Sequence, residues 1–397
     1  MKRFYVLFVS LLCSISVLVG CTKPPTPSVQ EGTTDEETLT TKWLSNETTT
    51  DYYRTILPYK SSPTRGLIYS SKYSKVSNRY DIDYFELALM RESQSYFDPE
   101  NFYFQEGQYL TKETVKQMLS KKKTQTELEA ELENDSEYVD LGLNPSSNEV
   151  ININGIEVTS PVYLAYLLEQ DYLIKEGDEA LLNGVTIGLA LNPYQSWQNE
   201  LGYTQVVALD EETLIAKGKE IAQEVIQILR NQEEFKSIPI MIGLYIVEEE
   251  SAVTPGHMVA KTLVAAESEQ IKDWKAVNEH YYLLPNENTF AIDANISNQY
   301  SEFKEIIKEY YPHYYGIIGV AHFIDNKLEN LEITVNIDFY GLAEKISFHQ
   351  LLSQLIKETF SPQYNINVVV RSSDEIYGVL LRPANSDEVE LKIISWK

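Results

Sequence analysis

Cys21 is the residue of this sequence whose side chain and neighbours point most directly to chemistry. Its thiol can ionise to a thiolate, which is a nucleophile, and it follows Leu18, Val19 and Gly20 at the end of a long apolar run. The small Gly20 leaves room beside the peptide bond that joins it to Cys21. These residues predict that Cys21 is modified on its sulfur and that the chain is cut between Gly20 and Cys21.

The residues before Cys21 have the organisation of a secretory signal peptide. Lys2 and Arg3 supply positive charge, and an apolar segment follows over residues 4–19, as in segments that are removed after export. A transmembrane helix is the alternative, but the segment is shorter than the roughly 20 residues that cross a bilayer. Its end resembles a lipobox, at which prolipoprotein diacylglyceryl transferase and signal peptidase II act. We therefore expect a signal peptide over residues 1–20 and a lipid-anchored mature chain from Cys21.

The composition indicates how the mature chain attaches to a membrane and which partners are excluded. The 397 residues carry 33 Lys and Arg against 59 Asp and Glu, a net charge of −26, and such a surface repels nucleic acid and anionic headgroups. Attachment must therefore come from acyl chains, and two chains give stable anchoring. Cys13 is the other cysteine and would leave with the signal peptide. The mature fold is thus expected to have no disulfide, no redox pair and no cysteine nucleophile.

The motifs of common enzyme classes are not found in the sequence. The chain lacks the GxSxG, HExxH, Walker and GxGxxG patterns, and its five histidines do not have the spacing of a zinc site. Two SxxK patterns lack the SDN and KTG partners of the penicillin-binding acylases. The segment from Asp293 begins like a calcium loop, but Asn298 replaces the turn glycine and Lys304 the bidentate glutamate. We therefore expect no catalytic residue, no metal and no cofactor, and a protein that is not an enzyme.

An aromatic and polar stretch over residues 102–109 is the candidate ligand-binding site. Its rings could stack on a sugar or a peptide, and its polar groups could form hydrogen bonds with a cell-wall ligand. The candidate residues are Phe102, Tyr103, Gln105, Glu106 and Tyr109. The same alternation is typical of a half-buried strand, which is the interpretation we favour. A binding module for cell-wall glycan or peptide is therefore one alternative function. An envelope glycan hydrolase, with two carboxylates flanking the cleft, is a further alternative.

The remaining sequence predicts an α+β protein with two mixed α/β-sheet domains behind a tether. Residues 21–51 are rich in Thr, Pro and acidic residues and should form a disordered, lipid-anchored tether. An N-terminal α+β domain is expected over residues 52–270 and a C-terminal α+β domain over residues 285–397. The order of helix and then strand recurs in both, which suggests related halves.

Hydrophobic periodicity and turn residues predict the main elements of the two domains. Helices are expected over 82–96 with Asp81 as N-cap, and over 112–132, 160–168, 210–230 with Asp210 as N-cap, 301–311 and 347–359. A hairpin is expected over 150–158 around Asn154 and Gly155. Further strands are expected over 185–191, 238–247, 315–324, 328–339, 367–371, 377–382 and 389–395.

Several segments occur together and in a fixed order. They are residues 53–68, 78–91, 96–110, 142–145 and 166–173, followed by GLALN and IPIMIGLY. Together they resemble the CamS-type sex-pheromone lipoproteins of Gram-positive bacteria over the whole mature chain. The resemblance implies a lipoprotein on the extracellular face of the cell membrane of a Gram-positive bacterium. It also implies that the cleaved signal peptide can be trimmed to a short hydrophobic conjugation pheromone, and it supplies no catalytic residues.

Overall fold

The computed structural model of this protein describes residues 42–44 and 52–394. The described residues belong to one compact unit. The predicted signal peptide, the lipidation and cleavage residues Gly20 and Cys21, and most of the predicted tether lie outside the described residues. The described chain is α+β, as the sequence predicts, with two large mixed sheets and a separate apolar core beside each. Its division into two domains stays a prediction.

The first sheet and its helices take up the chain as far as residue 276. Its elements are β1 (Lys42–Trp43), β2 (Arg54–Leu57), α1 (Arg79–Ser93), β3 (Tyr103–Glu106), α2 (Lys112–Met118), α3 (Gln125–Asn134), β4 (Val150–Ile153), β5 (Ile156–Thr159), β6 (Leu164–Glu176), β7 (Glu179–Leu191), β8 (Tyr194–Gln198), β9 (Thr204–Ala208), α4 (Glu211–Arg230), α5 (Glu233–Lys236), β10 (Ile240–Ile246), β11 (His257–Val264) and β12 (Lys275–Ala276). The strand order is β1-β2-β3-β6-β7-β10-β11-β12, and β4-β5 and β8-β9 are separate two-stranded sheets.

The second sheet follows in the rest of the chain. Its elements are β13 (Glu279–Leu284), α6 (Glu287–Ile292), α7 (Ala294–Tyr310), β14 (Gly316–Ile324), β15 (Lys327–Asn336), α8 (Leu342–Thr359), β16 (Ile366–Arg371), β17 (Ile376–Arg382) and β18 (Glu390–Ile393). The six strands are in sequential order.

The two sheets contain the same four-strand arrangement. In the first, β6 and β7 are antiparallel, β7 and β10 are parallel, and β10 and β11 are antiparallel. In the second, β14, β15, β16 and β17 follow the same antiparallel, parallel, antiparallel pattern. Each parallel pair is joined through a long helix, α4 or α8, because parallel strands need a crossover connection.

The predicted helix over residues 160–168 is wrong, since this stretch leads into strand β6. The first ten residues of β6 are all buried, so apolar residues occur on both faces of the strand. The positions of these apolar residues therefore also fit the 3.6-residue period of a helix, although the segment is a strand. Pairing along β7, with Leu168 opposite Gly188, supplies the hydrogen bonds that a helix would have supplied internally.

The predicted N-cap of α1 is also wrong. The cap is Asn78, whose side chain accepts a hydrogen bond from Tyr80 N at 2.8 Å. Asp81 instead lies in the first helical turn and is fully buried.

The helix predicted over residues 112–132 is divided into α2 and α3. Thr124 and Glu127 form a capping box that starts α3 after an interruption. The predicted N-cap Asp210 is confirmed. The predicted turn is also confirmed, and both of its residues, Asn154 and Gly155, have positive φ.

Helix α1 lies between the two sheets. On one side it rests on glycines of the first sheet, because a Cβ on Gly243 would come within 2.6 Å of Leu89. On the other side Tyr84 of α1 donates a hydrogen bond to Glu332 of β15 at 2.9 Å. The opposite face of the second sheet is covered by α7, where Tyr300 lies over Gly319. Since α1 contacts both sheets, it connects the two parts of the structure.

Candidate functional site

Strand β3 contains most of the predicted ligand-binding residues, and its half-buried pattern confirms the strand interpretation. Tyr103 is covered by the guanidinium of Arg54, 4.2 Å from the ring centroid, and by Trp43 at 4.6 Å. Phe102 packs edge-on against the buried Phe97 at 5.4 Å. The rings of Phe102 and Tyr103 therefore already have aromatic or cationic neighbours within the fold.

Glu106 faces the other side of β3 and is held by several donors. Its oxygens accept from Arg65 at 2.6 and 2.8 Å, from Ser62 N at 2.8 Å and from the Tyr59 hydroxyl. Burial opposes the ionisation of Glu106, but the hydrogen bonds from Arg65, Ser62 N and Tyr59 together with the charge of Arg65 outweigh this effect, and the pKa of Glu106 is lowered. Glu106 is thus an ionised partner of Arg65, and it lines a cavity of about 20 Å³, which is space for about one water molecule.

Gln105 and Tyr109 are the two predicted residues that the structure brings to one groove. The groove has a volume of about 470 Å³ and also contains Lys60, Asp178 and Glu179. Phe102, Tyr103 and Glu106 do not line this groove. Ligand binding by the predicted set stays a prediction, and only two of its five members line this groove.

Two buried carboxyl groups on β6 lie beneath the loop that follows β3. Both oxygens of Glu169 accept backbone hydrogen bonds, from Tyr109 N at 3.1 Å and Leu110 N at 2.9 Å, and Asp171 accepts from Gln108 N at 2.9 Å. Burial raises the pKa of both groups, and at Asp171 the charge of Glu169 and their mutual hydrogen bond raise it further. Burial and the neighbouring carboxylate therefore favour the protonated form of Asp171. The pair holds the loop and is not open to solvent.

A groove lies at the carboxyl ends of the parallel strands β7 and β10, and we call it the carboxyl-edge groove. Ligands of open α/β sheets bind at this kind of edge. The groove has a volume of about 1040 Å³, and Tyr69, Ser77, Asn192, Tyr194 and Glu249 are among its lining residues. Tyr69 is 65% exposed, so its ring is free to stack on a ligand.

Tyr194, which lines this groove, is hydrogen bonded to an acidic residue next to it. The Tyr194 hydroxyl donates to Glu248 at 3.1 Å. Burial and the nearby charge of Glu248 raise the pKa of Tyr194 well above its ordinary value. Tyr194 is therefore a neutral donor that positions Glu248, and it does not serve as a base.

Metal and membrane-spanning features are not found among the described residues. No group of three or more His, Cys, Asp or Glu side chains in the described ranges is arranged to hold a metal ion. Across the same residues, no helix is long and apolar enough to cross a bilayer.

Sequence reasoning missed the buried carboxyl pair and the carboxyl-edge groove. A signal for the pair was available, because Glu169 and Asp171 interrupt an apolar strand at alternate positions. Acids in such a run must be hydrogen bonded or protonated. No comparable signal marks the groove, since its residues come from four separated segments.

Known proteins share this architecture. The sex pheromone precursor from Lactobacillus salivarius is 25% identical, with a TM-score of 0.78 over 90% of this chain and 100% of that chain. The C-terminal domain of the sex pheromone staph-cAM373 precursor from Staphylococcus aureus is 27% identical, with a TM-score of 0.67 over 81% of this chain and 99% of that chain. No curated protein matches the chain significantly.

A family model covers most of the chain as well. The model described as CamS sex pheromone cAM373 precursor matches residues 59–388, which include α1, most strands of both sheets and the buried carboxyl pair. The chain therefore belongs to the CamS sex pheromone precursor family.

Proposed function

We propose that this protein is a surface lipoprotein, anchored through a diacylated Cys21 to the extracellular face of a Gram-positive cell membrane. The observation that supports this proposal is the position of Cys21. It directly follows Gly20 and an apolar run, and it precedes the folded region that begins near Tyr52. The intervening residues would act as a flexible tether.

The cleaved signal peptide is the proposed source of a short hydrophobic peptide that acts as a conjugation pheromone. Family membership supports this part of the proposal. Residues 12–19 are predominantly apolar, so a fragment that ends at Gly20 would be small and hydrophobic enough to leave the membrane region and reach other cells.

The mature chain is proposed to be non-enzymatic. Three carboxyl groups on and beneath the predicted ligand-binding stretch already have structural partners. Glu106 is bound by Arg65, and Glu169 and Asp171 are covered by the loop that they hold. A glycosidase needs two carboxyl groups that reach the substrate, and this buried pair has no open side.

Mass spectrometry of cells that express the wild type and Cys21→Ala tests the anchor and the peptide. The wild type should give a diacylated N-terminal Cys21 in the membrane fraction and a discrete peptide ending at Gly20 in the medium. Cys21→Ala should give neither product, because the acceptor thiol is gone. An unmodified Cys21 in the wild type would contradict the lipoprotein proposal, and degradation of the signal fragment without a discrete peptide would contradict the pheromone source.

A second candidate function is binding of cell-wall glycan in the carboxyl-edge groove. An exposed tyrosine ring beside amide and hydroxyl groups is a common arrangement for sugar recognition, and Tyr69, Ser77 and Asn192 supply these groups. Titration of the full chain with a soluble peptidoglycan disaccharide should show binding that Tyr69→Ala weakens. Tyr340→Ala, at a 96% exposed ring in the second part of the chain, is the matched control. Equal binding by both variants would contradict this function.

A further inference from the structure

A second groove lies between α1 and the face of the second sheet that is turned toward it. We call it the inter-sheet groove. It has a volume of about 360 Å³, within the range of sites for small ligands, about 300–1,000 Å³. Tyr80 and Tyr84 of α1 form one wall, and Ile318 and Val320 of β14 lie opposite. It is separate from the carboxyl-edge groove, with which it shares no lining residue.

The two arginines of this groove use only part of their hydrogen-bonding capacity within the fold. Most arginines of residues 52–394 are engaged in ion pairs or donate to backbone carbonyl groups. These are Arg54, Arg65, Arg91, Arg230 and Arg382. The other two contact only the adjacent residue of the chain: Arg79 donates to the Tyr80 hydroxyl and packs on its ring, and Arg371 donates through Nε to the Ser372 carbonyl. Both line the inter-sheet groove, although they are far apart in sequence.

Each of these guanidinium groups keeps free donors. Arg371 Nη1 and Nη2 make no hydrogen bond or ion pair with any residue that the structure describes. Guanidinium groups bind carboxylate and phosphate through paired N–H donors. In a chain with a net charge of −26, two unneutralised arginines in one groove therefore select an anionic ligand group.

Further polar groups lie beside the two arginines. The buried Ser372 hydroxyl accepts from Asp374 N at 3.2 Å and Glu375 N at 3.1 Å, which leaves its proton to donate. Glu332 is the one carboxylate of the lining, and its two oxygens already accept from Tyr84 and Asn330. The donors at this end of the groove thus outnumber the acceptors.

The remaining lining is apolar. Ile318 is 40% exposed and Val253 is 45% exposed, and Val320 and Pro255 complete this surface. Apolar side chains of a ligand would remove these groups from water, at about 25 cal/mol for each Å². A hydrophilic phosphate polymer would leave them uncovered, so the surface favours a ligand with an apolar body and one anionic end.

We propose that the inter-sheet groove binds the free C-terminal carboxylate of a short, extended apolar peptide. The carboxylate lies between Arg79 and Arg371 and accepts from the Ser372 hydroxyl. The preceding side chains cover Ile318, Val320 and Val253, and Tyr80 and Tyr84 flank the peptide backbone.

Titration of the full chain in detergent with N-acetylated pentapeptides of Ala, Val and Leu tests this proposal. Peptides with a free carboxylate should bind at least tenfold more tightly than the same peptides with a C-terminal amide. Arg79→Gln and Arg371→Gln should each weaken binding of the free acids at least tenfold and leave binding of the amides unchanged. Circular dichroism and Tm show that the variants are folded, and Arg371→Lys should bind with intermediate affinity.

Two control variants distinguish binding in this groove from general charge attraction and from binding in the carboxyl-edge groove. Lys327→Gln removes an exposed positive charge at the far end of β14 and β15 and should leave binding unchanged. Tyr69→Ala changes the carboxyl-edge groove alone and should also have no effect. Equal affinity for acid and amide, or insensitivity to both arginine substitutions, would overturn the proposal. So would binding of inorganic phosphate with no binding of peptide, which would assign the groove to a phosphorylated ligand.

Discussion

Asp171 and Glu169 lie two residues apart on β6, and both carboxyl groups accept backbone hydrogen bonds from residues 108–110. Burial and the charge of Glu169 raise the pKa of Asp171 far above its ordinary value of 3.8. The folded protein therefore keeps a proton that the unfolded chain releases near pH 4. The stability that this group supplies is complete below that pH and is lost as the pH rises from there toward the raised pKa of the folded state.

Asp171→Asn should remove this pH dependence. The asparagine amide can donate to Glu169, and its oxygen can accept from Gln108 N, without any ionisable group. We expect the free energy of unfolding of the variant to exceed that of the wild type by an amount that grows from pH 5 to pH 9, measured by urea denaturation. A difference that is constant over this range would contradict the raised pKa of Asp171.

Glu169→Gln, in contrast to Asp171→Asn, should lower the stability of the protein. Glu169 accepts from two backbone N–H groups, and a glutamine would turn its own donor toward one of them. The loss should be about 1–3 kcal/mol in the free energy of unfolding, the cost of an unsatisfied buried group. Urea denaturation at pH 7, beside Asp171→Asn, measures this contrast. Equal stability of Glu169→Gln and the wild type would show that the loop does not depend on this acceptor.

Glu279→Gln should destabilise the contact between the two sheets. Glu279 accepts from Arg91 and His322, each at 2.8 Å, and from Met258 N at 2.8 Å. Burial opposes its ionisation, but His322 and Arg91 outweigh this and lower the pKa of Glu279 to about 2. Its contribution is therefore present above about pH 4.5 and is lost as the pH falls toward 2. At pH 7 the substitution should cost about 3–5 kcal/mol, because Arg91 loses its buried partner.

The control for Glu279 is a double-substitution cycle. Arg91→Gln combined with Glu279→Gln should cost less than the sum of the two single losses, since each change breaks the same ion pair. Calorimetric unfolding at pH 7 and pH 3 provides the measurement. An additive cycle would mean that Arg91 and Glu279 stabilise the protein independently.

Asp81→Asn should loosen the segment over residues 248–256. Asp81 accepts from Tyr245, Glu248 N and Gly256 N at 2.8, 2.9 and 2.5 Å, and an asparagine has only one acceptor oxygen. We expect a loss of about 1–3 kcal/mol and faster hydrogen exchange in this segment. Asp83→Asn, at an exposed position of the same helix, is the matched control. Unchanged exchange in the Asp81 variant would show that other contacts hold the segment.

Gly188→Ala should push α1 away from the first sheet. A Cβ at Gly188 would lie 2.6 Å from Phe85 Cζ, so we expect a loss of about 1–3 kcal/mol from overpacking. Gly66→Ala is the matched control, because no atom lies within 4 Å of its Cβ position. Thermal unfolding of both variants measures the difference. A tolerated Gly188→Ala would indicate that α1 can shift at little cost.

The elements that the sequence predicts well are those with a local cause. Asn154 and Gly155 form a hairpin because both adopt positive φ, and α4 begins at the cap that Asp210 provides. The strand β6 could not be predicted, because burial on both of its faces erases the period that separates strand from helix. Asp81 was predicted as a cap because it precedes an apolar stretch, whereas its partners Tyr245 and Gly256 are remote in sequence.

The candidate sites also divide into those with a local sequence pattern and those formed by residues that are remote in sequence. The aromatic alternation around β3 is a local pattern and marks a half-buried strand. Arg79 and Arg371 belong to different elements, α1 and β16, and only the packing of α1 against the second sheet brings them to one groove. No spacing rule connects two residues whose proximity depends on tertiary structure.

The central position of α1 also has a consequence for the order of assembly. The α1 segment is synthesised early. Its partner Glu332, which accepts a hydrogen bond from Tyr84, lies 248 residues later in the chain, so the face of α1 that contacts the second sheet is covered only after Glu332 has been synthesised. Contacts over such separations form slowly and leave apolar groups accessible in the meantime. During synthesis, one face of α1 would therefore stay exposed until the second sheet has folded. A chaperone that shields this face would raise the yield of folded protein.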